Sequence, residues 1–300
     1  MRRLLIRPGA IGDCILCFPA LEYLAAEFTE IWIPGAVVPL VWFGDVVRSL
    51  ASTGIDLAGV GDLAMDPKLK EKLQQFDEIV SWYGANRPEF REALTKLGVR
   101  CRFHAALPPR GSPEHAVDFF ARQVGAPEAL IPRIAMSGIT SQDSVVVHPF
   151  SGGARKNWPL ERYRELAARL GSEVEWTAGP EDVLAGAVRF TDLGELARWI
   201  RGARLYIGND SGITHLAAAA GARTLALFGP SSSPAWAPRG SNITILWAES
   251  LEELSVEQVL DAVNGLLGPP EVEAGRTKPE GFAAFRDRPV HRTWRPEAPD

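Results

Sequence analysis

The chain has 300 residues, enough for two domains of ordinary size, and its 46% hydrophobic and 23% charged residues are the balance of a globular protein. A formal charge of −5 argues against a general nucleic-acid binder, though not against a local anion pocket. No run of about eighteen apolar residues is present, which excludes a transmembrane helix. The three cysteines, an odd number without a signal peptide, fit a reducing compartment.

In chain order, residues 4–7 read as a first strand and residues 8–12, Pro-Gly-Ala-Ile-Gly, as a tight turn. A helix is expected over 13–28. The charged start is broken by Arg7, Pro8 and Asp13, so it reads as strand and helix rather than as a signal peptide. Asp13 is placed either as a helix N-cap or as a carboxylate at the carboxyl end of the first strand, where α/β sheets bind ligands. Cys14 and Cys17 have C-x-x-C spacing without a second pair. They read as small buried residues, with half of a redox or metal site as the alternative.

A strand is expected over 30–33, a helix over 39–50 and a short strand over 56–60. Asp66 caps a helix that starts at Pro67. A strand over 78–82, a loop over 83–87, a helix over 89–97, a strand over 99–105 and a helix over 114–124 complete the first half. The alternation implies a parallel sheet covered on both faces. The Pro- and Gly-containing stretch 125–143 reads as the connection between domains. The expected division is 1–141, 142–267 and a tail, 268–300, rich in Pro, Arg and Glu, that is either disordered or packed back on the body.

The pattern restarts with a buried strand over 144–150 and a basic glycine-rich loop, Ser151-Gly152-Gly153-Ala154-Arg155-Lys156-Asn157. It is not a Walker loop. It reads as a solvated turn or as a diphosphate site, and the second reading gains from a companion site downstream. A helix follows over 159–170, then strands over 174–177 and 188–191, and a helix from the cap Asp192 to 201. Residues 205–207 and 224–228 are buried strands flanking the turn Gly208-Asn209-Asp210-Ser211-Gly212 and an alanine-rich helix. The first amides of that helix lack intrahelical partners and favour an anion. Ser211, Gly212 and His215 are then candidate phosphate contacts. Asp210 would repel phosphate and suits sugar hydroxyls. The plain alternative is that Asp210 or Ser211 only caps the helix. A strand over 243–247 and a helix over 256–267 close the domain.

Three blocks, R-P-G-A-I-G-D-C-I-L-C-F-P-A-L, H-P-F-S-G-G-A-R-K-N-W-P and the D-S-G-I-T-H turn with its closing F-G-P, resemble in order and spacing the ADP-heptose:lipopolysaccharide heptosyltransferases, glycosyltransferase family 9. The resemblance implies a GT-B architecture, two Rossmann-like domains facing across a cleft. It implies an inverting, metal-independent transferase, moving heptose from ADP-heptose to a lipopolysaccharide core or related glycan. Asp13 matches the general base, and Ser151, Lys156, Ser211, Gly212 and His215 match the diphosphate site. Asp210 matches a sugar contact, and Glu181 falls where a nucleoside contact is expected. The acceptor side departs from the pattern, leaving Arg87, Arg102, Arg110 and His115 as groups for an acidic acceptor. No cofactor is expected. The expected partners are a nucleotide sugar and a glycan or glycolipid, in the cytoplasm, with transient contact at the inner membrane. A non-catalytic nucleotide-sugar-binding protein and a GT-B enzyme using a UDP-sugar are the alternatives.

Overall fold

Alternating apolar and amphipathic segments fold into two parallel sheets with helices on both faces. The structure, a computed structural model, describes residues 1–60, 65–229 and 234–267; the expected tail, 268–300, lies outside the described residues. The first half runs β1 (Arg2–Ile6), α1 (Ile11–Tyr23), β2 (Phe28–Ile33), β3 (Val46–Ser49), α2 (Pro67–Leu73), β4 (Glu78–Ser81), α3 (Pro88–Thr95), β5 (Arg100–Phe103) and α4 (Ala116–Val124). The second runs β6 (Ser144–His148), α5 (Leu160–Arg169), β7 (Glu173–Trp176), α6 (Leu193–Gly202), β8 (Leu205–Asn209), α7 (Gly212–Ala219), β9 (Thr224–Phe228), β10 (Ile243–Trp247) and α8 (Val256–Leu267).

The strand orders are β3-β2-β1-β4-β5 and β10-β9-β8-β6-β7. Each order reverses once, between β1 and β4 and between β6 and β8. Neighbouring strands there send their connections to opposite faces, which opens a crevice at their carboxyl ends. The loops after β1, β6 and β8 are the ones read above as carrying the chemistry. The central strands are wholly buried, β6 as Ser-Val-Val-Val-His and β9 as Thr-Leu-Ala-Leu-Phe, as strands covered on both faces must be.

The halves share apolar packing. One core cluster joins Leu16, Val80 and Phe120 of the first half to Val146, Leu196 and Leu216 of the second. Helices α1 and α7 meet at their N-termini. A Cβ added at Gly12 would lie 2.7 Å from Cδ2 of His215, and one at Gly212 would lie 3.0 Å from Cβ of Ile11. Both glycines are therefore needed for two helix starts to touch. Cys14 and Cys17 are buried in α1 and unpaired. Burial pushes their thiols up to about 12 and about 11, so they pack as small apolar groups.

Several expected elements differ. Residues 39–50 are not a helix: a 3₁₀ segment, Gly35–Leu40, precedes β3, which pairs in parallel with β2. Val46 and Val47 are β-branched, and Arg48 of β3 forms an ion pair with the buried Glu30, so sheet pairing overrides the apolar pattern of the segment. The strand expected over 56–60 is a 3₁₀ turn, Ile55–Leu57, entered through Gly54 at φ 67°. The strand expected over 188–191 contributes one bridge, Thr177 to Val188. The first helix stops at Tyr23, because Phe28 is already taken by its pairing with Arg2. Asp66 accepts bonds from the amides of Lys68 and Leu69, and Asp192 from those of Gly194 and Glu195.

Candidate active site

Asp13 is not the N-cap of α1. The cap position is Ala10, and Asp13 sits in the first turn with Oδ2 accepting from the Ala10 amide at 3.1 Å. Its other oxygen carries no such bond among the described residues. The carboxylate is half-buried and lines a cleft of about 560 Å³ together with Ala10 and Gly12. The N-cap reading of Asp13 is thus replaced by a first-turn position whose carboxylate bonds back to the cap amide and faces the cleft.

The opposite wall comes from the loops after β6 and β8 and from the first turn of α7: Gly152, Gly153, Lys156, Asp210, Ser211, Gly212 and His215. Lys156 Nζ lies 2.7 Å from Asp210 Oδ2, the lysine 38% and the aspartate 7% exposed. The cation thus compensates a nearly buried carboxylate while keeping solvent-facing donors free. Charged side chains on the lining sum to Asp13, Asp210 and Lys156, a net of −1. Two helix N-termini, worth roughly half a positive charge each, offset it. What the site offers an anion is therefore directed donors rather than a broad positive field.

Ser211 is the N-cap of α7, accepting from the Thr214 amide at 3.3 Å. Thr214 Oγ1 donates its single proton to the Asn209 carbonyl at 2.5 Å. Its 3.2 Å contacts with Ser211 and Tyr206 must then be donations from those hydroxyls. Ser151 serves its own loop, donating to Asn157 Oδ1 at 2.8 Å. It lines a second cavity, of about 590 Å³, that shares Gly152, Ser211 and Gly212 with the cleft and is walled by Phe150, Pro180 and Phe190. Glu181 is exposed and absent from that lining. Its neighbour Asp182 does line it, with Oδ2 bonded to the Gly179 amide at 2.8 Å.

His215 is 6% exposed, and its Nδ1 has no hydrogen-bond partner. Desolvation pulls its pKa down to about 4, with Asp210 opposing and His115 and Lys156 adding to the fall. Burial likewise holds His148 at about 4 and lowers His115. All three are neutral near pH 7 in the folded state. The unfolded chain takes up these protons near pH 6.5, whereas the folded chain resists until lower pH. Between pH 6.5 and 4 the unfolded state therefore binds more protons, and stability falls as pH falls through that window. Urea midpoints measured from pH 7.5 to 4 should drop most steeply below 6.5. A flat profile there would contradict the buried, neutral rings.

A model of glycosyltransferase family 9 (heptosyltransferase) matches residues 121–263. Lipopolysaccharide heptosyltransferase 1 of Pseudomonas aeruginosa is 33% identical over 293 aligned residues, which cover 77% of this chain and 79% of that protein. The chain belongs to glycosyltransferase family 9. Lipopolysaccharide heptosyltransferase 3 of Escherichia coli is 30% identical over 142 residues, 40% of this chain and 41% of that protein, so that match spans less than half of the relative. Among solved structures, E. coli heptosyltransferase WaaC with ADP-2-deoxy-2-fluoro heptose superposes with a TM-score of 0.64 at 18% identity, covering 88% of this chain and 99% of that one. The shared fold is GT-B: two Rossmann-like domains facing across a cleft.

In this family 9 chain the expected acceptor groups are dispersed. Arg87 is committed to the Tyr83 hydroxyl at 3.3 Å and packs near Phe90. Arg102 pairs with Glu78, and Arg110 is exposed on the loop after β5, outside the cleft lining. His115 is a structural cap: its Nδ1 accepts from the Val117 amide, which puts the proton on Nε2, 2.9 Å from the Ala237 carbonyl of the other half. Beside it, Arg239 grips Asp118 through two bonds of 2.7 and 2.6 Å. These bonds pin the segment that carries Trp236, itself part of the cleft lining.

Two positioning residues escaped the sequence reading. Asn209, fully buried, donates to the Pro149 carbonyl and accepts from the Trp158 amide and the Tyr163 hydroxyl. It therefore ties the loop carrying Lys156 to the turn carrying Ser211. Arg7, also fully buried, donates to the main-chain carbonyls of Asp13 at 2.8 Å and Ala106 at 2.9 Å, and lies over the Phe120 ring. The available signal was a polar residue at the carboxyl end of an apolar strand, which a buried sheet rarely tolerates without a task.

Proposed function

We propose that this protein transfers a sugar from a nucleoside diphosphate donor to a glycan hydroxyl, by one in-line displacement that inverts the anomeric centre. The observation that carries this reading is that Asp13 and the group Lys156, Ser211, Gly212 and His215 line one cleft from opposite halves. Asp13 takes the proton from the attacking hydroxyl. Lys156 and the first amides of α7 stabilise the charge that builds on the departing diphosphate, and Asp210 orients the sugar through its hydroxyls. The nucleoside lies in the adjoining cavity between Phe150, Pro180 and Phe190. Ser151 borders that cavity and shapes the loop, and Asp182 takes the part expected of Glu181.

Family membership and the ADP-heptose analogue named with the E. coli neighbour favour ADP-heptose as donor and a lipopolysaccharide core as acceptor. The positive groups beside the departing diphosphate are Lys156 and the helix N-termini, and the family resemblance favours a transfer without metal. Among the described residues no helix is long and apolar enough to cross a membrane; a lipid-linked acceptor is reached by transient contact at the inner membrane from the cytoplasm. The test is a thermal-shift comparison, in which ADP stabilises the protein more than UDP does. Transfer from ADP-heptose should then persist in excess EDTA and give a product of inverted anomeric configuration by NMR. Equal stabilisation by UDP, or retention of configuration, would overturn the assignment.

A further inference from the structure

A further cavity lies at the amino edge of the second sheet, the end away from the catalytic cleft. It holds about 290 Å³ and is lined by Arg201, Ala203, Arg204, Arg223 and Asn242. The topology makes it. Arg204, Arg223 and Asn242 directly precede β8, β9 and β10, and those three strands are consecutive in the sheet. Arg201 joins them from the last turn of α6. Three guanidinium groups and one amide converge on a space whose lining holds no carboxylate among the described residues.

Arginines beside helix C-termini often serve only as caps for the last carbonyls. Arg223 does so, donating to the Leu266 carbonyl at 3.0 Å. Arg204 pairs with Asp143 Oδ1 at 3.1 Å, but that carboxylate is 88% exposed, and such surface pairs are weak. Arg201 has neither role: among the described residues no hydrogen bond or ion pair engages its guanidinium. It is nonetheless placed. Gly221, at φ 77°, leaves room for it, and a Cβ there would lie 3.5 Å from Arg201 Nε. Asn242 Nδ2 donates to the Gly221 carbonyl at 3.3 Å, which fixes the same turn. Three like charges are held together with a single exposed carboxylate to offset them. A phosphate group brings the charge that is lacking, and guanidinium forks match its oxygens. A volume of about 290 Å³ is at the bottom of the roughly 300–1,000 Å³ range of small-molecule pockets. It suits a phosphate group and not a whole nucleotide sugar.

We propose that this amino-edge cavity is a second anion site, which binds a phosphate group, free or on a lipid headgroup, through Arg201, Arg204 and Arg223. It is separate from the donor site. The turn at Asp210 and Ser211 lies at the other end of β8, whose five residues span roughly 17 Å. The inference goes beyond the transferase reading and stands without it.

The experiment titrates the full chain calorimetrically with inorganic phosphate and with glycerol 3-phosphate, at fixed ionic strength and with ADP saturating so that the cleft is occupied. Glycerol is the neutral control. In parallel, the protein is sedimented with phosphatidylcholine vesicles, with and without phosphatidic acid. Saturable binding of the free phosphates without vesicle binding assigns a soluble phosphate compound, and binding to the phosphatidic acid vesicles assigns the headgroup. Arg201→Gln should weaken whichever binds by about tenfold or more, the worth of a charge-assisted hydrogen bond. It should leave ADP affinity unchanged and should not lower Tm in phosphate-free buffer, since it breaks no bond. Arg198, exposed on α6 and outside the lining, is the control: Arg198→Gln should change none of these. The site is overturned if neither the free phosphates nor phosphatidic acid binds, if glycerol binds as well as glycerol 3-phosphate, or if Arg198→Gln costs as much as Arg201→Gln. Phosphate binding that is lost in Lys156→Met and intact in Arg201→Gln would put the anion in the cleft and overturn it too.

Discussion

Asp13→Asn is expected to lower kcat by about 10² to 10⁴-fold, the usual worth of a positioned general base, while donor binding is retained. The substitution suits the question because of where Asp13 sits. Its Oδ2 accepts from the Ala10 amide, and an amide oxygen can accept the same bond. The first turn of α1 is therefore preserved while basicity is lost. Asp13→Ala removes both functions, so it should lose turnover and also about 1 kcal/mol of stability through the missing N-terminal bond. Comparing kcat, ADP affinity and Tm for the two variants separates chemistry from capping. Wild-type turnover in Asp13→Asn would remove Asp13 as the base, and loss of ADP binding would make it a structural residue.

Lys156→Met should have the second large effect, and on two quantities. The lysine neutralises charge developing on the leaving diphosphate, and a single such donor is typically worth about 10²–10³ in kcat. It also compensates Asp210, 2.7 Å away and only 7% exposed. Without it, a nearly buried carboxylate faces the site where an anion must bind. Donor affinity should then fall beyond the loss of one contact, through repulsion by Asp210. Stability should fall by less than the full cost of breaking a buried pair, since the lysine is more than a third exposed. The double variant Lys156→Met with Asp210→Asn isolates these parts. It should recover stability and part of the donor affinity, but not kcat. If the single variant turns over at the wild-type rate, Lys156 has no part in leaving-group stabilisation. If the double variant binds donor no better than the single, the repulsion argument fails.

Much of the molecule was legible in one dimension where the governing interaction is local. Buried strands β6, β8 and β9 read as short apolar runs, and α2 and α6 were signalled by Asp66 and Asp192 ahead of them, because a cap bonds amides two and three residues on. Legibility failed where a distant partner decided. Residues 46–49 became an edge strand because β2 lay beside them and Glu30 awaited Arg48. His115 looked like a ligand and turned out to be a cap joined to residue 237. Asn209 and Arg7 were passed over because their partners are carbonyls and amides, which no side-chain pattern reveals.

The sequence by itself determined the two βαβ series, the turns at 8–12, 151–157 and 208–212, and the chemical types placed in and beside them, since period, capping and turn chemistry act over a few residues. Tertiary structure decided which of those turns face each other. Gly12 meets His215 because α1 and α7, the helices that follow β1 and β8, pack together at their N-termini. Lys156 meets Asp210, 54 residues away, because β6 and β8 are neighbours. Strand order is set by how all the apolar faces are buried at once, a property of the whole chain that no single segment carries.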